Sequence, residues 1–142
     1  IDFSNLSKDA LPYARLLAEA FSAEIVLGSV IEQYPGAPLA ASQLAAQIIV
    51  PMMRHAESEL ERVADELRQD TEVKVTSQVS AGRPSHEICR MASRAKADLI
   101  VLTTHGYTGL KRMLIGGTAE RVVRNATCPV LVVRELQRRL AS

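Results

Sequence analysis

Short runs rich in β-branched residues alternate along this chain with longer stretches of helical periodicity, and that alternation leaves few folds open. Residues 24–31 (EIVLGSVI) and 97–103 (ADLIVLT) are nearly continuous apolar runs. Such runs are expected of strands covered on both faces. Residues 71–79 (TEVKVTSQV) alternate instead, which puts Val73, Val75 and Ser77 on one face of a strand nearer an edge. Residues 129–133 (PVLVV) supply the last strand. Strands separated by helices of ten or more residues predict a parallel sheet with helices on both faces.

The helical segments carry their own signals. Residues 8–21 hold an apolar stripe of Leu11, Ala14, Leu16, Leu17, Ala20 and Phe21, with Ser7 as the expected N-cap and Pro12 near the start. Residues 40–68 repeat Ile48, Ile49, Met52, Met53, Ala56, Leu60, Val63 and Leu67 at spacings of three and four. Pro51 in that stretch predicts either a kink or the helix's real start. Pro84 opens a helix over 84–95, at a position where a missing N–H costs nothing. Residues 118–125 form the last helix. By this count the first strand is short: Ile1-Asp2 reads as the end of a strand whose leading residues precede this sequence. Without them, the flanking strand edges would lie bare.

With 142 residues the chain fits one domain and can bury a proper core. A net charge of +1 gives no electrostatic case for nucleic acid or an anionic membrane as partner. Aromatics at 4%, with no Trp, count against a platform for stacked bases. Cys89 and Cys128 lie in no CxxC or metal-ligand spacing and read as small buried hydrophobes. No secretory leader and no apolar run of about 18 residues is evident, so a soluble cytoplasmic domain is expected.

One loop carries chemistry. Thr103-Thr104-His105-Gly106-Tyr107-Thr108-Gly109, followed by Gly116-Gly117-Thr118, joins a strand to a helix. Glycines admit a close backbone approach and positive φ, and a helix N-terminus presents free N–H groups to an anion. The spacing is not that of a Walker A loop, because Lys111 follows Gly106 and Gly109 too closely. Lys111 and Arg112 either neutralise phosphate or are simply solvated. His105 has neither a nucleophile nor a metal partner in the pattern, and His55 and His86 read as surface residues on helices. No Ser/His/Asp order, carboxylate pair or metal cluster emerges, so tight catalysis is not indicated.

In this layout the chain resembles the universal stress protein family from end to end. The landmarks are Asp2-Phe3-Ser4, Ala81-Gly82-Arg83-Pro84, Ala97-Asp98-Leu99-Ile100-Val101, the run from His105 to Gly116, Ala119-Glu120-Arg121-Val122 and Cys128-Pro129-Val130-Leu131-Val132-Val133. The resemblance implies a doubly wound α/β fold like that of the adenine nucleotide alpha hydrolases, with a five-stranded, mostly parallel sheet. It covers a single domain over residues 1–134, leaving a charged tail at 135–142. The family's ATP-binding members carry Gly-x2-Gly-x9-Gly-Ser/Thr. Here those positions fall on Thr103, Gly106, Gly116 and Gly117, so two match and two depart.

The implied ligand is ATP, with AMP or ADP as alternatives and magnesium as a candidate companion. Asp2 matches the acidic residue that contacts the adenosine moiety, and it also suits a helix-cap role. Val30 matches the backbone position that recognises adenine, although its side chain reads as strand core. Gly106, Gly109, Gly116, Gly117 and Thr118 would face the phosphates. Gly117 lacks a hydroxyl worth up to about 3 kcal/mol against a charged acceptor, and Thr118 stands next to it. Thr103 puts a β-branched side chain where the family has none, at the strand end where ligands of open α/β sheets bind. A nucleotide-free dimeric interaction module with a decayed site is the alternative, and an enzyme using Asp2, His105 and a divalent ion ranks third. The implied dimer pairs the last strand, Pro129, Val130, Leu131, Val132 and Val133, with its two-fold mate.

Overall fold

In the computed structural model the chain is described over residues 1–33, 39–103 and 117–134, with side chains given except for Leu6 and residues 39–46. Along the chain lie α1 (Asn5–Lys8), α2 (Leu11–Phe21), β1 (Ile25–Glu32), α3 (Leu39–Gln69), β2 (Val75–Gly82), α4 (Pro84–Ala95), β3 (Ile100–Thr103), α5 (Gly117–Asn125) and β4 (Val130–Val133). The architecture is α/β and Rossmann-like, with parallel strands joined through helices.

The described strands form two parallel pairs. β1 runs alongside β2 from Ile25↔Val75 to Glu32↔Gly82, and β3 alongside β4 from Ile100↔Val130 to Thr103↔Val133. Ile25 donates to the Lys74 carbonyl, so the odd residues of β1 turn their backbone toward β2. Gly28 therefore presents its carbonyl on the opposite edge, where it accepts a bond from the Ile1 nitrogen. The start of the chain thus stands against the edge of β1 opposite β2, while α1 touches β3.

Two helical layers enclose β1 and β2. Leu27 packs with Ala18 of α2 and with Leu60, Val63, Ala64 and Leu67 of α3. Its neighbour Gly28 faces the other side, where the Met91 side chain of α4 lies against it. α4 packs in turn on α5. Leu60 and Val122 are fully buried, one in each layer. Full burial of such a side chain contributes about 1.5–3 kcal/mol.

Several boundaries differ from the sequence expectations. Ser7 does not cap a helix over 8–21: it lies inside α1, and α2 begins beyond it with no side-chain cap and Pro12 in its first turn. β2 starts at Val75 rather than residue 71, because its register follows the start of β1, and it runs on to Gly82. Pro51 sits inside one continuous helical element. Beyond the proline Ala56, Leu60, Val63, Ala64 and Leu67 are buried, whereas Ile48, Val50 and Met52 around it are exposed. Val26 is also exposed, so the outer face of β1 is covered from Gly28 onward rather than throughout. Cys89 and Cys128 are free thiols and half-buried, not core residues. Among the described residues, no helix is long and apolar enough to cross a membrane.

Candidate functional site

Of the expected site residues, Val30 and Thr103 lie toward the carboxyl ends of β1 and β3, and Gly117 and Thr118 open α5. Asp2 is tied into the turn that starts α1. Its Oδ1 accepts from the Ser4 amide at 3.1 Å and from the Ser4 hydroxyl at 2.6 Å. The Ser4 hydroxyl in turn accepts from the Ser7 amide at 3.1 Å, which makes Ser4 the true N-cap of α1. Phe3, between them, adopts a left-handed φ of 64°, a strained backbone for a bulky residue. The carboxylate therefore holds the sharp turn from the edge of β1 into α1.

Val30 is half-buried near the end of β1 and pairs with Ser80. Thr103 ends β3 opposite Val133. Gly117 opens α5, exposed, and an added Cβ there would meet no atom within 4 Å. Thr118 follows it, also exposed. Gly106, Gly109 and Gly116 lie outside the described residues, as do His105, Lys111 and Arg112. His55 and His86 are exposed, as expected.

A cleft of about 440 Å³ lies between the end of β1 and the starts of α4 and α5. Glu32, the last residue of β1, lines it together with Arg83, Pro84 and Ser85 at the start of α4 and Thr118 and Arg121 in the first turns of α5. Thr118 is the one expected site residue among them. Arg83 takes the N-cap position of α4 in extended conformation with no side-chain cap, and Pro84 pre-sets the helix behind it. Two helix N-termini open on one cleft, and each presents a partial positive charge. An anion fits this surroundings. Glu32 adds an acceptor to the rim.

Below the cleft floor lies a charge that periodicity did not flag. Glu87 of α4 is 5% exposed. It accepts from the Ser80 hydroxyl at 2.5 Å and from the Arg90 guanidinium, and its Oε1 lies 3.2 Å from His86 Nδ1. Burial pushes its carboxyl up, but the bonds from Ser80, His86 and Arg90 outweigh this and hold it below the usual carboxylate range. The group anchors β2 to α4 beside Gly82, the residue that delivers Arg83 to the cleft. Its sequence signal was present but local: a lone Glu three residues after the helix-opening Pro84, with Arg90 three residues on. Among the described residues, no group of three or more His, Cys, Asp or Glu side chains could hold a metal ion.

Known proteins resemble this chain over nearly all its length. A model of the universal stress protein family matches residues 1–134. Universal stress protein MJ0531 of Methanocaldococcus jannaschii is 36% identical over 134 residues, covering 94% of this chain and 78% of that protein. The solved structure of protein MJ0577, from the same organism, superposes with a TM-score of 0.82 at 28% identity, covering 94% of this chain and 90% of that one. The universal stress protein of Archaeoglobus fulgidus in complex with dAMP shares the fold, with a TM-score of 0.65 at 16% identity over 93% of this chain and 90% of that one.

Proposed function

The chain belongs to the universal stress protein family, and from that premise we propose that it binds an adenine nucleotide, ATP in the first instance, as a stress-response or signalling switch. The observation that carries this reading is the cleft where the starts of α4 and α5 meet the end of β1, lined by Arg83, Ser85, Thr118 and Arg121. It lies where an open α/β sheet takes its ligands, and its helix ends suit phosphate. The dAMP complex of the Archaeoglobus fulgidus relative supports the ligand class. Asp2, Val30, Thr103, Gly106, Gly109, Gly116, Gly117 and Thr118 are the proposed contacts, with magnesium as companion to the phosphates. Any hydrolysis is slow and incidental to the switch.

The purified protein, denatured and analysed for released ligand, tests this. ATP, ADP or AMP in near-equal amount supports it. If none is released, magnesium-ATP at a hundred times its Kd should still stabilise the fold by about 2.7 kcal/mol. No ligand and no thermal shift would hand the function to a second reading, a nucleotide-free dimeric interaction module. Thr103 and Gly117 favour that alternative, because both depart from the ATP-binding pattern.

A further inference from the structure

Inside this cleft one polar group is buried and unused. Ser85 is 7% exposed, yet it lines the cleft. Its hydroxyl bonds to no group among the described residues. No side-chain polar atom there is sealed away without a partner, so the hydroxyl opens on the cleft itself. A hydroxyl so placed lacks a partner that a buried polar group ordinarily has.

Its neighbours share the pattern. Arg62, Arg68, Arg90 and Arg124 all hold carboxylates. Arg83 and Arg121 line the cleft, and among the described residues neither is ion-paired. Arg83 stands at a helix start without a side-chain cap, where Pro84 has no N–H and the His86 and Glu87 amides bond to the Arg83 carbonyl, so of the first amides of α4 only that of Ser85 is left to face a ligand. Glu32 on the rim is the one carboxylate of the lining. A ligand that brings an anion answers the two arginines and the Ser85 hydroxyl together.

We propose that Ser85, Arg83 and Arg121 form an anion subsite that takes a phosphoryl group of the bound nucleotide, in addition to the glycine-loop contacts. This rests on the nucleotide reading above and names the part of the ligand that α4 recognises. The guanidiniums supply charge-assisted donors, the stronger kind of hydrogen bond. Ser85 supplies a short neutral donor in the same lining. The two arginines come from different helices, so an anion bridging them also ties α4 to α5.

Calorimetry with adenosine, AMP, ATP and inorganic pyrophosphate tests the subsite. The variants are Arg83→Ala with Arg121→Ala, and Ser85→Ala. A control carrying Arg54→Ala with Arg94→Ala removes two exposed charges elsewhere that form no ion pair among the described residues. The arginine pair should lower ATP affinity about tenfold or more and leave adenosine affinity as it was. Ser85→Ala should do the same to a smaller extent, and the control should match the wild type. ATP binding unchanged in the arginine pair, or an equal loss for adenosine, overturns the subsite while leaving nucleotide binding in place. A wild type that binds neither adenosine nor ATP sinks the nucleotide reading instead. Pyrophosphate binding that disappears with the arginine pair then upholds the anion site by itself, and its persistence rejects it.

Discussion

Gly82 lies so close to Glu87 that a Cβ on the glycine would come within 3.0 Å of Glu87 Cγ and 3.1 Å of Oε1. The glycine ends β2 at a φ of +150°, a region L side chains rarely adopt, and the next residue starts the turn into α4. Backbone and buried carboxylate thus constrain each other at the point where the chain delivers Arg83 and Ser85 to the cleft.

Gly82→Ala should therefore fail for two reasons at once, strain in the backbone and displacement of Glu87. The expected loss is about 1–3 kcal/mol, seen as a thermal midpoint lower by roughly 2–4 °C per kcal/mol. An unchanged midpoint would show that α4 shifts freely and that the contact constrains nothing.

Glu87 should also give the fold a pH dependence. Its carboxyl titrates below the ordinary 4.5 in the folded state, so the unfolded chain takes up the proton more readily. The stabilisation is complete above about pH 4.5 and disappears as pH falls through the lower folded value. Glu87→Gln should lose about 1–3 kcal/mol at neutral pH, and its deficit against the wild type should shrink on acidification. Denaturant titrations between neutral pH and pH 3 measure this. Parallel curves for the two proteins would remove Glu87 from the acid response.

How far these features were legible in the sequence follows from what each depends on. The alternation of β-rich runs and helical stripes is local, and every strand and helix of the described fold except the short α1 traces to it. The helix over Pro84–Ala95 appeared with its boundaries because a proline at the first position marks them. β2 was misplaced at both ends because a strand's limits are set by its partner. The alternating residues 71–74 lie ahead of the strand, while Ser80, Ala81 and Gly82, beyond its expected end, pair with Val30, Ile31 and Glu32. The N-cap was assigned to Ser7 rather than Ser4 because the short α1 needs the turn at Phe3, which no periodicity announces. Thr118 was readable from the loop that precedes it. Arg83, Ser85 and Arg121 were not, since their meeting depends on α4 packing against α5.

Assembly is proposed to run through β4. Its Val130, Leu131 and Val132 are half-exposed, and among the described strands β4 pairs only with β3. An apolar strand with an open edge invites a second copy of itself. Val132→Lys should convert a dimer to a monomer in sedimentation velocity, with the far-UV spectrum retained. A dimer that survives the lysine would place the contact elsewhere.

Gly117 offers the converse experiment, in which a departure from the family pattern is reversed. An added Cβ at this position meets no atom within 4 Å, so serine enters α5 without displacing a neighbour. Replacing a glycine where the backbone permits it stabilises a fold by about 0.4–1 kcal/mol, because the unfolded chain loses freedom. The new hydroxyl also restores the donor that the ATP-binding pattern places there. One hydrogen bond to a charged acceptor is worth about 1.5–3 kcal/mol, so Gly117→Ser should tighten ATP about tenfold or more and leave adenosine unchanged. Calorimetry on the variant separates the two effects, since the stability gain appears without ligand and the affinity gain only with phosphate. If the variant is more stable yet binds ATP no better, the start of α5 does not face the phosphates and the proposed orientation of the nucleotide is wrong.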